Sequence, residues 1–385
     1  MKRISNLFAA VAIVVAAGSA SAATPTSSPF PASKVPRASQ ASSVTQSIGL
    51  VTVKIDYSSP LVHAMDGTDR RGMIWGKLVP YGPMKNPGFG TCTECPWRAG
   101  ANENTTFTTS HDITVEGQKL PAGTYGLFMF PDPDEWTVIF NRNHTAWGGF
   151  FYDAADDQLR VKVKPVKAEY HEALTYDFID RHADHATLAL QWEVLSVPIR
   201  IAVPDSDELY MASMRQEMQS EPGFDYQNVM AASQFALAHK HPEEGLQWAQ
   251  YAVSGPFVGR VEFQTLMNLA DAQEANGKTA EATATREKVF NLASTASVTD
   301  LHLYARQLLN RKHKEEAIRF WNLNAKLHPD VWPVNVGLAR ASSAAGNYAE
   351  AIKYAKLAAA QAPDEADRRA LEGAIKKLEA GQDMN

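Results

Sequence analysis

Ala344-Ala345-Gly346-Asn347-Tyr348-Ala349-Glu350-Ala351-Ile352-Lys353-Tyr354-Ala355 decides the reading of the second half of the chain. Gly346-Asn347 is a turn signal between two runs of good helix formers. A Glu followed by a small residue recurs upstream, at Glu281-Ala282 and Glu316-Ala317, and with Gly in place of Ala at Glu244-Gly245. Successive Glu positions are 37, 35 and 34 residues apart. Each follows a helix-length run and a turn: Lys240-His241-Pro242, Asn276-Gly277-Lys278, Lys312-His313-Lys314 and Gly346-Asn347-Tyr348. A second helix-length run follows each Glu, ending near Gly255-Pro256, Ser294, His328-Pro329 or Ala362-Pro363.

A period near 34 residues with paired helices is the tetratricopeptide signature. The composition agrees: from Asp207 onward Ala, Glu, Gln, Leu and Lys dominate. Residues 207–380 are therefore read as a helical repeat array. Leu301, Tyr304, Ala305 and Leu308 share one face at helical spacing, and Ile318, Trp321, Asn322 and Ala325 are expected to do the same on the partner helix. A last amphipathic helix, Glu372 to Glu379, is expected to cap the open end of the stack.

The first half has a different period. Val51, Val53, Ile55 and Tyr57 alternate with Thr52, Lys54 and Asp56, the pattern of a half-buried strand. Similar short runs follow at Thr105–Thr109, His111–Val115, Leu120–Phe130, Trp136–Asn141, Leu159–Pro165, Leu174–Phe178, Thr187–Trp192 and Val197–Val203. Turn residues separate them, and no helical run intervenes. The spacing predicts an antiparallel β-sandwich or barrel over residues 38–204. The fold class is thus a β domain followed by an α-helical solenoid.

The N-terminus carries Lys2 and Arg3, an apolar run from Leu7 to Ala17, and Ala20-Ser21-Ala22. That is the layout of a signal peptide over residues 1–22, too short to span a bilayer. Residues 23–37 are Ser-, Thr-, Pro- and Ala-rich and read as a disordered linker. The chain is expected to be exported, to the periplasm or beyond. A net charge of −6 and the lack of a Lys/Arg cluster argue against a nucleic-acid partner.

The β domain also resembles a known family. The words Ala38-Ser39-Gln40, Leu78-Val79-Pro80-Tyr81-Gly82, Trp97 to Thr105, Leu120-Pro121-Ala122-Gly123-Thr124-Tyr125, Trp136 to Asn141 and Trp147-Gly148 look like the bacterial DUF2911 domain in order and spacing, over roughly residues 38–204. The resemblance implies an exported protein, with a similar repeat tail in several members, and no established reaction. It also marks Pro83–Pro96, which holds both cysteines, as an insertion.

Candidate chemistry centres on Arg98, Asn102 and Glu103, which fall within six residues of a loop leading into a strand. A guanidinium clamps a carboxylate or phosphate with two hydrogen bonds. In this reading Arg98 is the anion clamp, Asn102 a hydrogen-bond gauge and Glu103 the orienter. The bland reading is an internal Arg–Glu pair with an Asn-capped turn. Cys92-Thr93-Glu94-Cys95 is read first as an export-formed disulfide, ahead of a zinc half-site or a redox dithiol. His144, and the group His63, Asp66 and Asp69, match no metal motif. No metal and no cofactor is expected, and no Walker, G-x-S-x-G, H-E-x-x-H or Rossmann pattern occurs. The leading expectation is a binding or scaffold protein, with the β domain recognising a small polar or anionic ligand or a surface and the repeats docking a protein. The alternatives are an exported hydrolase pairing Glu103 with a His, and a purely structural envelope component.

Overall fold

The structure is a computed structural model that describes residues 36–86 and 88–385. The proposed leader and most of the linker lie outside the described residues. The chain divides into two compact units at Ser206/Asp207.

The first unit is built of antiparallel strands. They are β1 (Gln40–Ile48), β2 (Val51–Ser59), β3 (Met84–Lys85), β4 (Glu94–Cys95), β5 (Thr106–Thr109), β6 (Ile113–Val115), β7 (Gln118–Leu120), β8 (Gly123–Phe130), β9 (Trp136–Asn141), β10 (Asp157–Val163), β11 (Val166–Ile179) and β12 (His185–Ala202). One sheet has the order β1-β2-β5-β8-β9-β10, the second β11-β12-β6-β7, and β3-β4 form a separate ribbon. The sheets face each other, with β2 against β11 and β10 against β7 and β12. Alternation does what period two requires: Val51, Val53, Ile55 and Tyr57 are buried while Thr52 and Lys54 face water. Inside lies a tryptophan cluster. Trp75 meets Trp97, Trp136 and Trp192 edge to face, with ring centroids 5.7, 5.0 and 5.6 Å apart.

Two runs read separately from the sequence, Thr187–Trp192 and Val197–Val203, belong almost wholly to one strand, β12. Glu193 joins them in a left-handed conformation (φ 56°), and the pairing with β11 shifts register beside it. An irregular residue in mid-strand is the mark of a bulge. Glu193 is buried, and its carboxylate accepts the Gly72 N–H.

The second unit is helical: α1 (Ser206–Glu217), α2 (Tyr226–Ala238), α3 (Pro242–Ser254), α4 (Phe263–Ala275), α5 (Thr279–Asn291), α6 (Val298–Asn310), α7 (Lys314–Leu327), α8 (Trp332–Ala344), α9 (Tyr348–Gln361) and α10 (Glu365–Glu379). Helices α2/α3, α4/α5, α6/α7 and α8/α9 pack as hairpins, and each repeat Glu lies in the first turn of its second helix. The turns share one backbone device. Lys240, Gly277, Lys312 and Gly346 all have φ between 68° and 81°, each four residues before the Glu. A left-handed residue ends a helix and reverses the chain. First helices also touch across units, α2 with α4 and α6 with α8, which makes the array a solenoid.

Leu301, Tyr304, Ala305 and Leu308 are buried as expected. On α7 the expected face is corrected. Asn322 is exposed, and the buried stripe is Ala317, Phe320, Trp321 and Asn324. Asn324 lies inward because its amide donates to the Val298 carbonyl at 2.9 Å. The last helix starts at Glu365, seven residues before the expected start, because Asp364 caps it through the Asp367 N–H.

Candidate functional site

The loop from Trp97 to Thr105 is held by its own backbone. Ala99 and Asn102 are left-handed, with φ of 52° and 59°. The Ala99 carbonyl accepts from Tyr176 Oη at 2.9 Å and Thr105 Oγ1 at 3.2 Å. The Trp97 indole donates to the Gly100 carbonyl at 3.2 Å. A side chain at Gly100 would meet Thr105 Oγ1 at 2.7 Å, so the turn admits little else. Fixed backbone of this kind presents its side chains in set directions.

The three predicted site residues do not act as one unit. Arg98 is half-buried, and its guanidinium donates to the Asn102 carbonyl. It lies over the Phe150 ring, 5.5 Å from the centroid, and packs on the backbone of Gly148. Burial lowers its pKa, partly offset by the nearby Glu103 charge. Glu103 forms its own ion pair with Arg37, at 2.6 Å, and accepts from Ser58 Oγ at 3.3 Å. The expected orienting bond from Glu103 to Arg98 is therefore replaced by one to Arg37, 66 residues away. Asn102 donates its amide to the Ser39 carbonyl at 3.2 Å. Arg37, Ser58 and Ser39 were missed because nothing in local spacing reports a contact over so long a separation. Asn104, next in the loop, is buried, and its Oδ1 has no partner.

The cysteine loop touches this loop system indirectly. Cys92 and Cys95 are bonded to each other, with Cα atoms 5.5 Å apart, and pack against Phe128, Ile139 and Tyr152. The N–H groups of Thr91 and Cys92 both donate to the Phe150 carbonyl at 3.0 Å. Residue 150 thus links the cysteine loop to the Arg98 ring contact.

The histidines fall elsewhere. His63 Nδ1 is 2.9 Å from Glu172, and Nε2 is 3.6 Å from Asp69. The Tyr170 hydroxyl pulls the Glu172 carboxyl down to about 2, and the Arg71 side chain does the same for Asp69. Asp66 instead accepts the Thr68 N–H in a turn. His144 is not among the partners of Glu103. One trio of metal-ligating side chains, Asp180, His182 and His185, converges among the described residues, its ligand atoms all within 4.8 Å. It sits on the turn between β11 and β12, read from the sequence only as a connection.

The helical unit carries a groove of about 830 Å³ along the first helices α2, α4 and α6. Apolar Met230, Leu237, Met267 and Leu303 line it together with Asp271, Tyr304, Gln307 and Arg311. Asp271 pairs with Arg311 at 2.6 Å and accepts from Gln307. Burial pushes its carboxyl up to about 6, against the opposing pull of Arg311. Tyr304 is fully buried, and its hydroxyl has no partner among the described residues. Burial raises its pKa. No helix among the described residues is long and apolar enough to cross a membrane.

No curated protein matches the chain. Similar solved structures match it with low overall superposition. A kinesin-light-chain-type protein of Podosopora anserina with nearly identical TPR-like repeats is 18% identical, with a TM-score of 0.32, covering 40% of this chain and 85% of its own. Pseudomonas aeruginosa pilF is 14% identical, with a TM-score of 0.32, covering 46% and 79%. YrrB, a TPR protein with an unusual peptide-binding site, is 11% identical, with a TM-score of 0.30, covering 44% and 86%. Residues 39–201 match the family described as "Protein of unknown function (DUF2911)", so this part of the chain is a domain of that family.

Proposed function

We propose that this protein is an exported interaction scaffold whose helical repeats dock an extended segment of a partner protein in the groove over Tyr304. The observation that carries the reading is the groove itself. It runs along three successive first helices and mixes apolar Met230, Leu237, Met267 and Leu303 with polar Gln234, Asn268 and Gln307, which offers an extended segment both packing and hydrogen-bonding groups. Export rests on the basic and apolar leader of residues 1–22 and agrees with paired cysteines.

The test is site-specific photo-crosslinking in the full chain. A crosslinker at Leu303, exposed beside the groove, should capture a defined partner band. One at Lys288 on α5, which does not line the groove, should not. Gln307→Trp should remove the band by filling the groove. Equal capture from both positions, or capture indifferent to Gln307→Trp, refutes the reading.

A second reading concerns Arg98. It is half-buried on an aromatic ring, and its hydrogen bond goes to a backbone carbonyl. That leaves N–H groups for a small anion beside the Trp97–Thr105 loop. A thermal-shift screen with carboxylates and phosphate tests it: stabilisation must disappear in Arg98→Ala. The hydrolase alternative gains no support, since Glu103 is engaged by Arg37 and Ser58.

A further inference from the structure

A second cavity in the helical unit, of about 400 Å³, lies between α6, α8 and α10. It shares no lining residue with the groove over Tyr304. Its walls are apolar: Trp332, Val336, Leu371, Ala374 and Met384. Its charged groups are Arg306, Arg340, Lys377 and a single acid, Asp367. Neither Arg306 nor Lys377 enters an ion pair among the described residues.

Arg340 is the informative member. It donates to Asn385 Oδ1 at 3.2 Å, but its Nε is buried without an acceptor. Trp332 Nε1 and His302 Nδ1, on the same cavity, are also buried and unpartnered. Arginine Nε and indole Nε1 are donors only, so each of these two lacks an acceptor. Burial and the neighbouring Arg306 both disfavour the Arg340 charge, and Asp383 only partly offsets them. Asp383 is occupied elsewhere, accepting from Ser343 Oγ at 2.5 Å. Two guanidiniums and an ammonium against a single carboxylate, beside an apolar wall, call for an oxyanion carried on an apolar body. A carboxylate suits this geometry because it accepts two N–H bonds from one guanidinium. The volume falls within the range of about 300–1,000 Å³ usual for small-molecule sites.

We propose that the cavity between α6, α8 and α10 binds a small organic carboxylate, with Arg340 and Arg306 holding the anion and the aliphatic body packed on Trp332, Val336, Leu371 and Met384. The site stands whether or not the groove over Tyr304 takes a peptide.

Isothermal titration and thermal shift on the full chain test this, with hexanoate and inorganic phosphate as probes at matched ionic strength. Hexanoate should bind saturably and raise the unfolding midpoint, and phosphate should bind at least tenfold more weakly because it has nothing to place on the apolar wall. Arg340→Gln and Arg306→Gln should each weaken hexanoate at least tenfold. Arg306 is exposed, so its variant reports even if Arg340→Gln perturbs folding. Absence of saturable hexanoate binding overturns the proposal. So does binding that survives both substitutions, and so does phosphate binding as tight as hexanoate.

Discussion

The β unit and the helical unit differ in where their unpaired buried polar atoms lie. In the β unit the loop around Arg98 is tied to its own domain, and only Asn104 Oδ1 in it stays unpaired among the described residues. Glu103 takes Arg37 and Ser58, Asn102 takes Ser39, and Ala99 takes Thr105 and Tyr176. In the helical unit Tyr304, His302, Trp332 and Arg340 leave buried atoms unpaired, and all four line cavities. Satisfied groups stabilise and position, whereas unsatisfied ones beside a cavity mark where something else can bind. The same residue types therefore mean different things in the two units, and the difference is one of partners rather than of composition.

The largest expected effect separates the units. Trp136 is fully buried against Trp75 and Trp97. Trp136→Ala should destabilise the β unit by about 3–5 kcal/mol in urea unfolding. Hydrogen exchange should show residues 36–206 opening at a denaturant concentration where the helices of residues 207–385 stay protected. Opening of both units together would break the comparison at its base.

Acid sharpens it next. Burial, first, and then Arg340 and Arg306 pull His302 from 6.5 down to about 4. A histidine whose folded pKa is depressed favours the folded state fully above its unfolded value. That contribution is lost as pH falls from about 6.5 to about 4. The loss in the helical unit should reach about 3 kcal/mol, since each tenfold change in a protonation equilibrium is worth roughly 1.4 kcal/mol. His302→Asn should flatten the profile of stability against pH in that window, and a profile unchanged from wild type would place the acid sensitivity elsewhere.

A smaller effect is expected from Glu103→Gln, which keeps one of the two acceptor oxygens and removes the charge facing Arg37. It should cost about 1–2 kcal/mol in the β unit and leave capture at Leu303 intact. Smallest is Tyr304→Phe. Removing an unpaired hydroxyl should shift stability by less than about 1 kcal/mol, in either direction. A large loss of stability would show that the hydroxyl is already satisfied within the fold.

Local periodicity carried most of the architecture. Alternation at Val51–Tyr57 and the recurrent Glu at 244, 281, 316 and 350 are both short-range patterns, and both appear in the structure as strand and hairpin. What escaped was set by distance or by a single backbone angle. The Arg37–Glu103 pair spans 66 residues, and the continuity of β12 depends on Glu193 alone adopting φ 56°. The Asp364 cap preceded the apolar stripe from which the last helix was read. Cavities are harder still, because Arg306, Arg340 and Lys377 come from three helices and only packing assembles them.

The left-handed residue before each repeat Glu has an engineering corollary. Because Gly277 and Lys312 occupy equivalent points of successive hairpins, the 35 residues from one to the next form an interchangeable cassette. Excising that cassette, or inserting a second copy, should give a shorter or longer array still in phase. Under the proposed docking, its length would then become a dial for how much of a partner segment is covered.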